Sequence, residues 1–535
     1  MNAIQSTRRS MLRMTPLARC LAMSLAVAGV ASPVWASSPR PAVSRSVPPN
    51  ARIEPSVLDS WLHEPIDRRA QEDHWRAVLQ RPIPALPTNT IPVTNCNDSG
   101  SGSLRDAVNN ANTGDTIDLT NTGCSVISLT TGAIAVTQAD LTLQGPGALS
   151  LAVDANHASP VVLHTGGGTL YVNDLMIKNG AKYFTDAQVD AARGGCIFSS
   201  GEVSLSNSEV KYCKADNSST HYGAYGGAIY AQTGVTLDSS SVLGSSAHSS
   251  GYWVKGAGIS TPGTVTLLDS FVEGNDSYST TTWTLGGGVY AKTALNVKYS
   301  VIDGNSAYSG AFVARGGGLY SAGNLTIQNS TIRGNSSRNG GGVFVLGQNA
   351  TSEVTMINST VSGNHAVVTG GIDIEDYPAR IANSTIAFND ESFFEPYGAG
   401  LFVFNTNVEL ESTIVSNNYN VYSGSNVEDD VATSQNYSGT LSGSHNLITL
   451  SSMTVPPDTI ENKYANLGPL TYNGGTTATH KLMTFSPAID TGSNAGSLNY
   501  DQRGAGYPRV IGSNADIGAY ELDTADEIFS DGFDF

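Results

Sequence analysis

Charge is scarce in this 535-residue chain. Only 14% of residues are Asp, Glu, Lys or Arg, and 28 basic residues face 46 acidic ones, for a net charge of −18. A nucleic-acid partner needs a basic face to neutralise phosphates, and anionic lipid needs a polybasic cluster; this composition provides neither. Long apolar runs are also missing. The longest, Leu21 to Ala31, is too short to span a bilayer, so no transmembrane segment is expected in the mature chain. No CxxC or His/Cys spacing marks a metal site, and no Gly-Gly-x-Gly-x-Asp nonapeptide marks bound calcium. No cofactor is expected. Helix formers are thin throughout, and Gly, Ser, Thr and Asn do the solvating in place of charge.

Cysteine is rare but patterned. Residues 1–36 read as a signal peptide, with Arg8, Arg9, Arg13 and Arg19 before the apolar run and Val34-Trp-Ala36 as a small-residue cleavage site. Thr7-Arg-Arg-Ser-Met-Leu12 also resembles a twin-arginine signal, departing from it at Met11, so two export routes stay open. Cys20 follows Arg19 and precedes the apolar run, which does not suit a lipobox. Four cysteines then remain: Cys96, Cys124, Cys196 and Cys213. An even count in an exported chain suggests two disulfides. Proximity favours Cys96–Cys124 and Cys196–Cys213 among three connectivities, with four buried thiols as the alternative.

What is abundant is repetition. A glycine pair or triplet followed by a branched aliphatic recurs at Ile197, Ile229, Ile259, Val289, Leu319, Val343, Ile372 and Leu401, at spacings of 32, 30, 30, 30, 24, 29 and 29 residues. Each anchor is followed by a short alternating stretch such as Val265-Thr-Leu267, then by Ser-Thr-Ile or its like, as at Ser330 and Ser384, then by Gly-Asn, as at Gly304-Asn305. Period-two alternation signals strands, and Gly-Asn suits a positive-φ corner. Three short strands per unit are too few for a propeller blade. They fit one coil of a right-handed parallel β-helix, an all-β solenoid, with the anchors as one inward ladder and the Ser and Asn positions as polar ladders.

The chain divides accordingly. Residues 1–36 are the signal; 37–94 form a linker or extension, with a possible amphipathic helix from Val57 to Leu79. Residues 95–420 hold the repeats. Their N-terminal cap is a short helix in which Ser103 caps Leu104, Ala107, Val108 and Ala111, and Gly114 stops it. Such a lid protects an open strand edge. Residues 421–522 hold the last coils and an atypical C-terminal cap, and 523–535 an acidic and aromatic tail, a possible sorting signal.

In that C-terminal block Ser486-Pro-Ala-Ile-Asp490, Asp501-Gln-Arg503 and Asp516-Ile-Gly-Ala-Tyr-Glu521 stand in the order found in choice-of-anchor Q domain proteins, which they resemble. The helical lid and Gly-Asp-Thr-Ile117 look like that group's N-terminal cap. The repeats resemble those of chlamydial polymorphic outer membrane proteins at Gly-Gly-Ala-Ile229, with Ile or Val in place of Phe at Ile302-Asp-Gly-Asn305. The resemblance spans most of residues 95–522. It implies a bacterial β-helix that is secreted or held at the cell surface. The polymorphic proteins end in an outer-membrane barrel, for which no residues follow Glu521 in sufficient number.

Two candidate sites follow. The residue after each anchor reads Phe198, Tyr230, Ser260, Tyr290, Tyr320, Phe344, Asp373, Phe402. With the anchors inward these point outward and stack coil upon coil, a stripe able to hold a polysaccharide, a cell-surface glycan or a protein partner. A flanking loop laid over the stripe would make it structural packing instead. The second candidate is acidic. Asp373, Glu375 and Asp376, with Asp390, Glu391 and Glu395 nearby, are the best pair-forming carboxylates for glycoside cleavage. The plainer reading is a solvated acidic patch, and the polygalacturonase signatures Asn-Thr-Asp, Gly-His-Gly and Arg-Ile-Lys are absent. Asp490, Asp501, Arg503, Asp516 and Glu521 are expected to pair within the C-terminal cap. The function expected is adhesion or glycan binding by a monomer, with a polysaccharide lyase or hydrolase as the alternative and a structural envelope protein third.

Overall fold

The computed structural model describes residues 89–523 apart from 186–189, 311–312, 348–351, 425 and 435–437. The signal peptide, the Val57–Leu79 helix with most of the 37–94 extension, and the tail after Asp523 lie outside the described residues. What is described is a right-handed parallel β-solenoid. The anchor strands build an 11-stranded sheet in which Ile197, Ile229, Ile259, Val289, Leu319, Val343, Ile372 and Leu401 are paired in register, all buried. The alternating stretches build a 13-stranded second sheet, and the Ser-Thr-Ile strands a 13-stranded third. Their inward aliphatics merge into one continuous core. Because each coil touches only its neighbours, stability is a nearest-neighbour sum.

The coil carries more than three strands. In a middle repeat the anchor strand is Val289–Ala291, the second-sheet strand Ala294–Lys298 and the third-sheet strand Val301–Asp303. The connection back to the next anchor adds Ser306–Ser309 and Ala314–Arg315. These two arms pair coil to coil and make a fourth sheet of 15 strands, with an outgoing and a returning ladder. Alanines and one valine (Ala192, Ala215, Ala224, Ala247, Val254 and Ala257) pack between the arms. At Ser336–Asn339 the two ladders fuse, since that strand pairs with both Ser306–Ser309 and Ala314–Arg315. That fusion accounts for the single 24-residue spacing. The glycine triplets serve the junction between arm and anchor: Gly286 sits at φ +74°, and a Cβ on Gly287 would lie 2.2 Å from the Gly317 carbonyl oxygen.

Two polar rows run along the corners. Ser208 through Ser384 form one, each Oγ after the first accepting from the amide of the serine one coil earlier, as Ser270 does from Ser240, while Ser208 accepts from the Leu175 amide. The strands put Thr413 rather than Ser412 opposite Ser384, because Thr385 pairs with Ile414. The second row is Asn275, Asn305, Asn335, Asn364, Asn389 and Asn418. Each side-chain amide donates to the next Oδ1 at 2.9 Å, until Asn418 donates to the Asp430 carboxylate at 2.8 Å.

Both disulfides expected from proximity are formed, Cys96–Cys124 and Cys196–Cys213, with Cα separations of 6.3 and 5.4 Å. The lid helix spans Leu104–Asn109, with Ser103 Oγ accepting from the Asp106 amide and Leu104, Ala107 and Val108 buried. It stops before Gly114, because the Asn110 side chain already bonds the Asp106 carbonyl. The C-terminal block returns along the outer face of the third sheet. Asn329 reaches the carbonyls of Asp501 and Gln502, Thr360 Oγ1 donates to Gln502 Oε1, Ser362 meets His480, and the Gly518 amide donates to Ser412. Phe388 and Ile414 of the solenoid pack there with Ala488, Ile517 and Tyr520.

Candidate functional site

The aromatic stripe forms as a stack but not as a surface. Phe198 lies 5.8 Å from Tyr230, Tyr290 5.4 Å from Tyr320, and Tyr320 5.6 Å from Phe344, with interplanar angles of 7–14°. Tyr230, Tyr290, Tyr320, Phe344 and Phe402 are nonetheless buried. The returning arm of the fourth sheet covers the row and sets cations against it. Arg193 lies 5.6 Å from the Tyr230 ring, Lys255 4.8 Å from Tyr290 and Arg315 4.5 Å from Phe344. The expectation of an accessible stripe is therefore corrected. The connection from the third sheet back to the next anchor carries two strands that pair with their own copies, and the resulting sheet lies over the rings.

The acidic candidates change in the same way. Asp373 takes an aromatic position in the stack, pairing between Phe344 and Phe402, and is fully buried. Neither carboxylate oxygen has a hydrogen-bond partner. Burial raises this carboxyl well above the usual range and the Glu375 charge adds to the rise, while Arg315 opposes it. Arg315 stands 3.9 Å from Glu375, itself buried. Asp376 is on a positive-φ turn, where it accepts from Asn405. The solvated patch is thus corrected to a buried, largely neutral Asp373 beside an Arg315–Glu375 contact. Of the neighbours, Asp390 bonds His365 and Glu395 is exposed. Glu391 is buried against Asp429. It accepts from the amides of Tyr397 and Thr369 and from Asn420, and Asp429 accepts from Gly398. Burial first, then the Asp429 charge, pushes Glu391 up to about 8. Two carboxyls in contact in low dielectric share a proton. They anchor the 392–400 segment, whose Tyr397 packs on Phe402.

In the C-terminal block Arg503 pairs with Asp501 at 2.8 Å and donates to the Glu521 carbonyl; Arg509 stands 3.4 Å from Glu521; Asp516 Oδ1 accepts from the Asp490 amide. These residues close the block upon itself.

The exposed aromatics are elsewhere. On the outgoing arms of the fourth sheet His248, Tyr278 and Tyr308 are stacked 5.1 and 5.5 Å apart, at 17° and 5°. Tyr308 is 58% exposed, and Tyr183, three coils before Tyr278 in the same column, is also exposed. Asp216 stands 3.2 Å from His248. At the rim where the arms reverse, Trp253 stacks on Trp283 at 5.4 Å, with Tyr252 exposed beside it. The sequence signal for this row was Ser-Ala-His-Ser249, Asp-Ser-Tyr-Ser279 and Ser-Ala-Tyr-Ser309, itself a 30-residue repeat.

Strand pairing and register define the class of protein, a right-handed parallel β-helix with a fourth, covering sheet. No family model matches the chain, and no curated protein matches it in sequence. Among solved structures it is similar to the crystal structure of pectate lyase Pel9A, at 11% identity and a TM-score of 0.32, over 82% of this chain and 98% of that one. A likeness at that level carries no inference about activity.

Proposed function

We propose that the protein is exported, as the resemblance to surface-displayed or released choice-of-anchor Q proteins implies, and that this β-helix holds a polysaccharide or cell-surface glycan on the outer side of its fourth sheet, without catalysis of its own. The observation that carries this reading is the stacked His248–Tyr278–Tyr308 row, half-buried at its first two rings and exposed at Tyr308. Three rings that hold one another rigid lose little entropy on binding. Stacking occupies their mutual faces, which leaves ring edges at one-coil intervals and the phenolic hydroxyls of Tyr278 and Tyr308. Hydroxyl-rich chains suit such a row, and the neighbouring Asp216 and Asp276 carboxylates accept from sugar hydroxyls. Two disulfides agree with export to an oxidising compartment. The lyase or hydrolase alternative requires carboxylates that a polymer can reach, and Asp373 and Glu375 are buried.

Affinity electrophoresis of the purified protein through gels containing different polysaccharides tests this. Retardation abolished by Tyr278→Ala/Tyr308→Ala, without product formation, is the expected outcome. Cleavage products lost in Asp373→Ala/Glu375→Ala would replace it with the enzyme reading.

A further inference from the structure

The buried ring stack is broken at Ser260, which pairs between Tyr230 and Tyr290 where every neighbouring coil but one carries an aromatic. Two strand spacings leave roughly 9–10 Å between the flanking levels. Lys255 occupies that region. Its Nζ lies 4.8 Å from the Tyr290 ring centroid, 5.2 Å from Trp253 and 5.5 Å from Tyr225. Three aromatic rings surround one amine, and no carboxylate among the described residues pairs with it. The other two cations of this layer have one nearby: Arg193 pairs with Asp190, and Arg315 contacts Glu375. The cage is not sealed. Trp253 and Lys255 are half-buried, and Tyr252 next to them is exposed at the rim.

We propose that Lys255 is a site of reversible covalent capture of aldehydes, including the open-chain form of reducing sugars. An uncharged lysine amine attacks the carbonyl carbon, forming the C–N bond while the carbonyl oxygen takes a proton. The carbinolamine then loses that oxygen as water, and with one proton taken from solvent the product is a protonated iminium. The positive charge ends where the ammonium charge began. The iminium is bulkier and less hydrated, so ring faces hold it at lower desolvation cost than the ammonium. Ring faces alone would hold the ammonium, but burial, with the Lys292 charge adding, lowers the amine to about 8 and so favours the nucleophile. At pH 7 roughly a tenth of such an amine is uncharged, against well under a thousandth for an ordinary lysine. The groups facing it are the phenols of Tyr225 and Tyr290, both raised to about 12 and so protonated, together with Lys292.

The test exposes the intact protein at pH 7 to glyceraldehyde, or separately to a reducing disaccharide, with cyanoborohydride supplying the hydride that fixes the iminium as a secondary amine. Peptide mass spectrometry then ranks the lysines. The expected result is Lys255 modified at least tenfold faster than Lys292 or Lys298, with a rate that rises with pH to a half-point near 8. Trp253→Ala, which opens the cage at its half-buried wall, should erase that preference while far-UV circular dichroism shows the solenoid still folded. Modification by glyceraldehyde alone would restrict the ligand class to small aldehydes, and modification by both would admit sugar ends. Lys255 reacting no faster than Lys292 with either probe overturns the proposal, whatever becomes of polysaccharide retention on the opposite side of the arms.

Discussion

Two flanks of this solenoid are covered, and by opposite means. The anchor sheet is covered by the repeat itself: the coils from Ala181 to Arg315 each send out two arms, which fuse into one at Ser336–Asn339 and continue as one beyond it. The third sheet is covered by a non-repeating block whose contacts span more than 100 residues of sequence, such as Asn329 to Asp501 and Thr360 to Gln502. The first cover uses stacked rings and cations, the second side-chain to backbone hydrogen bonds around a small apolar cluster. A repeating cover distributes its load over many equivalent contacts. A single returning block concentrates it in a few residues.

Breaking the block should therefore give the largest effect. Arg503 is buried with Asp501 and lies 3.9 Å from the Tyr520 ring centroid. Arg503→Ala leaves a buried carboxylate without its cation and should cost about 3–5 kcal/mol. Limited proteolysis should then cut near residues 463–466 while the repeats resist; an unchanged melting curve would refute this. Breaking the repeating cover should cost somewhat less and stay local. Tyr320→Ala removes one ring from a continuous stack, at about 3 kcal/mol, and hydrogen exchange should rise in residues 306–315 and not beyond adjacent coils. Uniform loss of protection along the solenoid would show that the coils do not act as neighbours only.

A third test is set by pH. Glu391 is raised from 4.5 to about 8 in the fold. The stability held by its protonated form is complete below about 4.5 and drains away as pH rises to about 8. Melting temperature measured across that window should fall in the wild type and flatten in Glu391→Gln; equal slopes would remove the shared proton from the account. The smallest expected effect is on the outside of the arms. Tyr278→Ala/Tyr308→Ala should cost no more than about 1.5 kcal/mol, the worth of a stacked ring pair, while abolishing polysaccharide retention. A large loss of stability there would make the exposed row packing as well.

The contrast also explains what could be read from the chain. The anchor ladder and the Gly-Asn corners were legible because each rests on local chemistry repeated at a fixed interval, and both disulfides because their partners lie close in sequence. The fourth sheet was not. Its strands are two to four residues of Ser, Ala, Tyr and Lys, such as Ser246–Ser249 and Val254–Lys255, with too little alternation to stand out from a loop. Missing it reversed the exposure of the stripe and of Asp373, though both point away from the core as the period-two pattern requires. The place of the C-terminal block was illegible for another reason. Gln502 bonds Ser330 and Thr331 across more than 170 residues, and no spacing encodes that.

The asparagine row has a consequence for how the corner of the solenoid closes. Six amides point the same way, each able to hand a hydrogen onward because an amide both gives and receives. Asp430 ends the row: its Oδ1 takes the Asn418 amides and its Oδ2 the Leu450 amide. Burial first, then the Glu428 charge, raises this carboxyl well above the usual range. The row thus resembles a polymer with an end group, one carboxyl capping six amides, while the strands Thr440–Ser444 and Leu447–Ile448 carry the coils further.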